Sequence, residues 1–323
     1  MGKETASGSD YCLFFDILGY KVHMLMTTNN DCKAVCFGEI LWDILPDAQL
    51  PGGAPMNVAY HLNQLGVPAT MISRTGKDEL GKKLLDFISS KNVPIQFIQE
   101  DEQYDTGTVL ATVSENHVSY DIIQPVAWDY IEYSIALQRL VSATPYFIFG
   151  SLVARNETSR QTLFELLESA THKVLDINLR KPHYEKSTLD YLLQHADILK
   201  LNEDELEILS GWYGFSGTDE DRIKSFRDRF HLHTVITTRG DKGAIVWQDG
   251  VFCKHQGYKV KVADTIGSGD AFLAGFLSKT INGAGLEEAT AFACGMGAFI
   301  ATHHGACPVY TKAGAEKAMS AFT

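Results

Sequence analysis

The chain has no CxxC pair, no apolar run of eighteen residues and no cluster of lysine and arginine. Each absence removes a class of protein. Six cysteines (Cys12, Cys32, Cys36, Cys253, Cys294 and Cys307) without paired spacing make neither a disulfide framework nor a zinc site, and they fit reduced thiols in a cytoplasmic protein. Cys32 and Cys36 read as strand residues. The lack of a long apolar run excludes a membrane-spanning helix. A formal net charge of -12 without basic clusters disfavours nucleic acid and anionic membranes as partners. No low-complexity tract interrupts the 323 residues, of which 45% are hydrophobic, enough for one large core or two modest domains. An anionic nucleotide on so acidic a chain has to be held by local donors and a metal.

The first thirty residues differ from the rest. MGKETASGSD is polar, and YCLFFDILGYKVHMLM is apolar but broken by Asp16, Lys21 and His23, without the basic start and small-residue cleavage site of a secretory signal. Residues 1–31 therefore read as an extension outside the core. Met26 stands just before the core begins and offers an alternative start.

From residue 32 to 323 the pattern is that of a single α/β domain. Short β-branched runs (AVCFGEI, ATMISRT, YFIFG, HKVLDIN, ADILKLN, TVITTRG, AIVWQDG) alternate with helical patterns (APMNVAYHLNQLG, DELGKKLLDFISSKN, SRQTLFELLESAT, EDELEILSG, DAFLAGFLSKTING, LEEATAFACGMGAFIATH). Several strands are too uniformly apolar for an edge exposed to water, which predicts a mainly parallel sheet with helices on both faces and ligands at the strands' carboxyl ends. TGTVLATVSENHVSYDII breaks the alternation. It reads as a hairpin about Glu115 and Asn116, a small β-flap over the site.

The stretch DTIGSGD, Asp264 to Asp270, carries the most chemistry. Two glycines flank a serine, so the backbone can turn tightly and aim several N–H groups at one spot, an anion receptor at the positive end of the following helix. Asp270 is a carboxylate beside that receptor. The pairing suits phosphoryl transfer to a hydroxyl, in which the protein stabilises spreading charge and takes one proton. On these seven residues alone, a capped turn at a helix start is the simpler reading. Other patterns carry less. GKDELGK at Gly76 to Lys82 lacks the Ser or Thr of a P-loop, and Asp78 reads as a helix cap. GSGDAF and GMGAFI lack the third small residue of a dinucleotide fingerprint, His231, His233, His303 and His304 lack zinc-like spacing, and the sequon at Asn156 is idle without secretion.

Two distant motifs give the chain a family resemblance. GGAPMN (Gly52 to Asn57) and DTIGSGDAF, with NEDE at Asn202 to Glu205 and TTRGDKG at Thr237 to Gly243 between them, resemble the signatures of the ribokinase-like (PfkB-type) sugar kinases, most of all a fructokinase. The match runs from about Cys32 to the C-terminus. It implies a three-layer α/β/α fold with a mainly parallel central sheet and a discontinuous β lid from about 39–51 and 95–125. It also implies ATP-dependent phosphorylation of a sugar primary hydroxyl, most simply D-fructose to fructose 6-phosphate, with homodimers paired through the lids.

The resemblance assigns roles to residues. Asp270 is the base, and the N–H groups of Ile266, Gly267, Ser268 and Gly269 form the anion hole. Asp43, Gly53 and Asn57 grip sugar hydroxyls, as suits an acceptor and an amide facing vicinal OH groups. Asp176, Asn178 and Arg180 in DINLR resemble a pattern of fructokinases and 2-keto-3-deoxygluconate kinases, where Arg180 would meet phosphate or a substrate carboxylate. Asn202, Thr238, Gly240, Gly243, Thr265, Gly267 and Gly269 line the nucleotide. Asn202 and Glu205 hold water-coordinated Mg2+ that arrives with ATP, although Asn followed three residues later by Glu is equally a helix cap. Asp264 and Ile266, with the loop near His303 to Gly305, neighbour a monovalent cation, K+. The rival readings are a 2-keto-3-deoxygluconate kinase, a ribokinase or nucleoside kinase, and, from another class, a catalytically silent sugar-binding regulator.

Overall fold

The computed structural model describes residues 16–17, 20–21, 32–45, 48–114 and 117–322, with backbone only over 16–17, 20–21, 111–114 and 117–120. The chain divides into two compact units, Met1–Asp31 and Cys32–Thr323. The described residues of the first are two short antiparallel strands, β1 (Asp16–Ile17) and β2 (Tyr20–Lys21). The Met26 start and most of the extension lie outside the described residues.

In the second unit the apolar runs form the strands. In chain order the elements are β3 (Ala34–Phe37), β4 (Leu41–Ile44), β5 (Gln49–Gly52), α1 (Ala54–Gln64), β6 (Ala69–Gly76), α2 (Glu79–Ser90), β7 (Ile98–Asp101), β8 (Gly107–Ser114) and β9 (His117–Ile122). They continue as α3 (Ile135–Ala143), β10 (Tyr146–Gly150), α4 (Glu157–Leu167), β11 (His172–Asp176), α5 (Lys186–His195), β12 (Ile198–Asn202), α6 (Glu203–Tyr213), α7 (Asp219–Phe230) and β13 (Thr234–Thr238). The last are β14 (Ala244–Gln248), β15 (Val251–His255), α8 (Ser268–Ile281), α9 (Leu286–Ala301) and α10 (Lys312–Met319).

The central sheet runs β15-β14-β13-β12-β11-β10-β3-β6-β7, parallel from β13 to β7. Its central strands are buried on both faces, while the edge strands β15 and β7 are partly open, and alternate residues of the buried strands feed two cores. Val35 and Phe37 pack with the α3 to α7 layer, whereas Ala34 and Cys36 pack with α1, α2, α8, α9 and α10. This is the expected α/β/α arrangement, with one extension. β14 and β15 join antiparallel, because Thr238 to Ala244 is a tight turn rather than a helical crossover.

A second sheet, β5-β4-β8-β9, stands apart from the first. The strand expected through AVCFGEI stops at Phe37, since Gly38 takes φ 148° and sends Leu41–Ile44 into this second sheet. The hairpin residues Glu115 and Asn116 lie outside the described residues, but the two strands flanking them pair antiparallel. Helices α3, α5, α7 and α10 were not foreseen from the pattern. In α7 (DEDRIKSFRDRF) only Ile223, Phe226 and Phe230 are buried, too sparse an apolar stripe to stand out among its charges.

Candidate active site

Parallel pairing brings the carboxyl ends of β3, β10, β11, β12 and β13 to one edge of the sheet, and the sequence motifs meet there. Asp176 and Lys200 are register partners on β11 and β12, and Asn202 and Thr238 on β12 and β13. Above this edge lie the N-terminus of α1, carrying GGAPMN, and that of α8, carrying GSGD.

Gly53 and Gly267 explain why these motifs need glycine. Gly53 has φ 116°, and a Cβ there would collide with the carbonyl oxygen of Glu39. Gly267 has φ 75° as the cap of α8, and a Cβ would lie 2.5 Å from that of Ala306. The helix starts at Ser268, two residues before the expected DAFLAGFLSKTING, so Ser268 and Gly269 form its first turn.

That start narrows the anion receptor. The Ile266 N–H donates to Asp264 Oδ1 at 3.0 Å and the Ser268 N–H to the Thr265 carbonyl at 3.2 Å, so these two of the four expected donors are already engaged. The N–H groups of Gly267, Gly269 and Asp270 have no acceptor among the described residues. Ser268 Oγ is likewise buried without a partner. Unsatisfied donors at a helix N-terminus are what an anionic ligand completes.

Asp270 sits inside this turn. Its Oδ2 accepts from Asn57 Nδ2 at 2.8 Å, and Asn57 Oδ1 in turn accepts from the Cys307 thiol at 3.3 Å. The residue keeps a partly open surface while its carboxyl lies deep among protein atoms. Loss of water and the nearby Asp176 push its pKa up to about 6, opposed by Lys200, Asn57 and Arg180. Burial does the same to Asp43, up to about 6, and to Glu39, up to about 7, with the Arg180 guanidinium opposing both. Asp43, Gly53, Asn57, Asp270 and Arg180 are thus brought together; Arg180 is exposed, reached through a loop in which Asn178 takes φ 41°. Glu39 is only 3% exposed, its Oε2 has no partner among the described residues, and nothing in its residue type singles it out.

The nucleotide-side residues divide. Asn202 and Glu205 form a reciprocal cap on α6, and Glu205 is buried with its second oxygen accepting from the Leu179 N–H at 2.8 Å. Its carboxylate therefore faces backbone donors rather than open solvent. Thr238 and Gly240 sit at the surface of the β13–β14 turn, but Gly243 is pressed against the backbone of His255 and Gly257, so its need for glycine comes from β15. Asp264 braces two loops, its Oδ1 on Ile266 and its Oδ2 accepting from the Gly305 N–H at 3.1 Å. Each carboxylate oxygen thus accepts one backbone N–H. Among the described residues no three His, Cys, Asp or Glu side chains gather as a metal site. Asp78 caps α2 through the Gly81 N–H at 2.7 Å.

A family model described as pfkB family carbohydrate kinase matches residues 33–313. The chain belongs to the pfkB family of carbohydrate kinases. This kinase is 27% identical over 338 residues to probable fructokinase-7 of Arabidopsis thaliana, covering 95% of each chain. It is 32% identical over 246 residues to the ATP-dependent 6-phosphofructokinase of Thermoanaerobacterium thermosaccharolyticum, covering 73% of this chain and 74% of the relative. Its fold matches that of a fructokinase with bound ATP from Xylella fastidiosa at a TM-score of 0.80 and 21% identity, over 89% of this chain and 98% of that one.

Away from this edge, a buried histidine ties the first motif helix, α1, to the segment between α9 and α10. His61 on α1 bonds the Tyr310 hydroxyl at 2.9 Å and the Ala306 carbonyl at 3.0 Å, and Tyr60 donates to the Pro308 carbonyl. Burial pushes the His61 pKa down to about 4, so the folded protein holds it neutral. The unfolded chain protonates it near pH 6.5, so its contribution is complete above that pH and drains away as pH falls towards 4. The full loss is roughly 3 kcal/mol. Denaturant titrations from pH 7 to pH 4 should show this decline, and His61→Gln, which cannot titrate, should flatten it.

Proposed function

We propose that this kinase transfers the γ-phosphate of ATP to the primary hydroxyl of a sugar, most simply carbon 6 of D-fructose. The observation that carries the reading is a buried carboxyl, Asp270, set at a helix N-terminus whose Gly267, Gly269 and Asp270 N–H groups lack acceptors among the described residues. In the reaction the sugar oxygen forms a bond to phosphorus while the bond from phosphorus to the bridging oxygen of ATP breaks, and Asp270 takes the hydroxyl proton. With a pKa of about 6, it is ionised and ready at neutral pH. The N–H groups receive the charge spreading over the phosphoryl oxygens.

Asp43, Gly53 and Asn57 are the sugar contacts in this reading, and Arg180 stands at the exposed rim facing Asp43, Glu39 and Asp270. Mg2+ enters with ATP and supplies charge neutralisation of the phosphates. The residues fit an ion held by phosphates and water, with Asn202 and Glu205 as outer contacts, because both Glu205 oxygens already accept backbone N–H bonds. A monovalent cation fits beside the Asp264 and Ile266 carbonyls, and rates compared in potassium, in sodium and without either test it.

The 6-phosphofructokinase relative supports a second reading in which the acceptor is already phosphorylated. ADP release over fructose, fructose 6-phosphate, ribose, 2-keto-3-deoxygluconate and adenosine separates them. Fructose should give the highest kcat/KM; a preference for fructose 6-phosphate establishes the second reading, and activity on adenosine alone overturns both.

A further inference from the structure

The anion receptor at α8 carries no positive charge of its own. Its Gly267, Gly269 and Asp270 N–H groups are neutral, and the nearest ionisable side chain on the same turn, Asp270, is an acid. A phosphoryl group in transfer brings several negative oxygens to that point, and such charge is ordinarily met by cationic side chains as well as dipoles. A full positive charge lies on the sheet directly beside it.

Lys200 projects from β12 with its Nζ 2.8 Å from Asp176 Oδ1 and 2.7 Å from Oδ2. Both side chains are enclosed, 8% and 6% exposed. An ammonium has three protons, and Asp176 accepts two; the third has no acceptor among the described residues. The Nζ lies 3.4 Å from where a Cβ on Gly269 would stand, against the first turn of α8. Stability gives no reason for a buried ion pair here, because apolar residues of similar volume usually serve as well or better. A fixed charge beside an anion receptor does give one.

We propose that Lys200, held in place by Asp176, is the cationic wall of the phosphate receptor and turns its third ammonium proton towards the phosphoryl group being transferred. Asp176 is then a positioning residue. The inference rests on the kinase reading above. Burial opposes the Lys200 charge, while Asp176, Asp270 and Glu205 favour it and raise its pKa above the usual lysine value. Asp270 faces Asn57 from α1, Asp176 from β11, Lys200 from β12, Arg180 beyond β11, Glu39 beyond β3 and Cys307 beyond α9. Among these, Asp176 raises its pKa and Lys200 lowers it.

The test compares wild type, Lys200→Met, Asp176→Asn and the double variant. Either single change strands a buried charge and can unfold the protein, whereas the double change leaves none, and its melting temperature shows whether it folds. The folded double variant should lose roughly 10²- to 10³-fold in kcat, the effect of removing one well-placed donor from an oxyanion site, with little change in sugar KM. It should still bind ADP yet lose the tighter binding of ADP with aluminium fluoride, a mimic of the phosphoryl group in flight. Single variants that fold should move the acidic limb of kcat/KM in opposite directions, upward for Lys200→Met and downward for Asp176→Asn. A folded double variant with wild-type kcat and wild-type aluminium fluoride binding overturns the inference while leaving the kinase reading intact. A wild type that phosphorylates no sugar overturns the kinase reading, and this inference with it.

Discussion

Asp270→Asn is expected to lower kcat by roughly 10³- to 10⁴-fold, near the upper end of what one general base contributes. The replacement keeps the shape of the side chain and its place beside Asn57, so the sugar KM and the melting temperature should stay close to wild type. What is lost is the ability to take a proton from the attacking hydroxyl. The wild-type pH profile gives the same test without mutation. Because burial and Asp176 hold the Asp270 pKa at about 6, kcat/KM should be flat at neutral pH and fall tenfold per unit below that value. A profile level down to pH 4.5 would mean that another group, or none, takes the proton.

Gly53→Ala is expected to cost about 3 kcal/mol of stability or more, measured by denaturant unfolding. Two effects add. An L-residue at φ 116° is strained, and the new Cβ would overlap the Glu39 carbonyl and crowd Ile40 Cα at 3.1 Å. Relief requires the corner between β3 and β4 to move, and that corner carries both Glu39 and the strand that holds Asp43. Sugar KM should therefore rise in any fraction that folds. Gly66→Ala is the comparison, since Gly66 has a positive φ but open space around it, and it should lose much less.

The contrast between these glycines marks what could be read from the chain. Glycines at 53 and 267 stood in recognisable motifs, and the structure supplies the carbonyl and the alanine that forbid a side chain there. The central strands were legible because burial on both faces makes them uniformly apolar. Helices such as α5 and α7 were not, since each buries only three residues and spends the rest on solvent. Lys200 left a trace, one lysine in the apolar run ADILKLN, but its meaning depends on Asp176 being its register partner, which no local pattern contains. Glu39 and the Cys307–Asn57–Asp270 chain were equally out of reach, because they join residues more than two hundred positions apart or turn on one missing hydrogen bond. The engaged Ile266 and Ser268 donors depend on where a helix begins, and sequence places such boundaries only to within a few residues.

In the proposed reaction Asp270 and the N–H groups of Gly267, Gly269 and Asp270, which lack acceptors among the described residues, deliver a phosphoryl group to a sugar hydroxyl. This transfer is tested most directly by following ³²P from γ-labelled ATP in the presence of fructose, with wild type and Asp270→Asn side by side. Label is expected on the oxygen of fructose carbon 6 with wild type, and almost none with the variant. Label recovered only as inorganic phosphate, or transfer that survives undiminished in the variant, would contradict it.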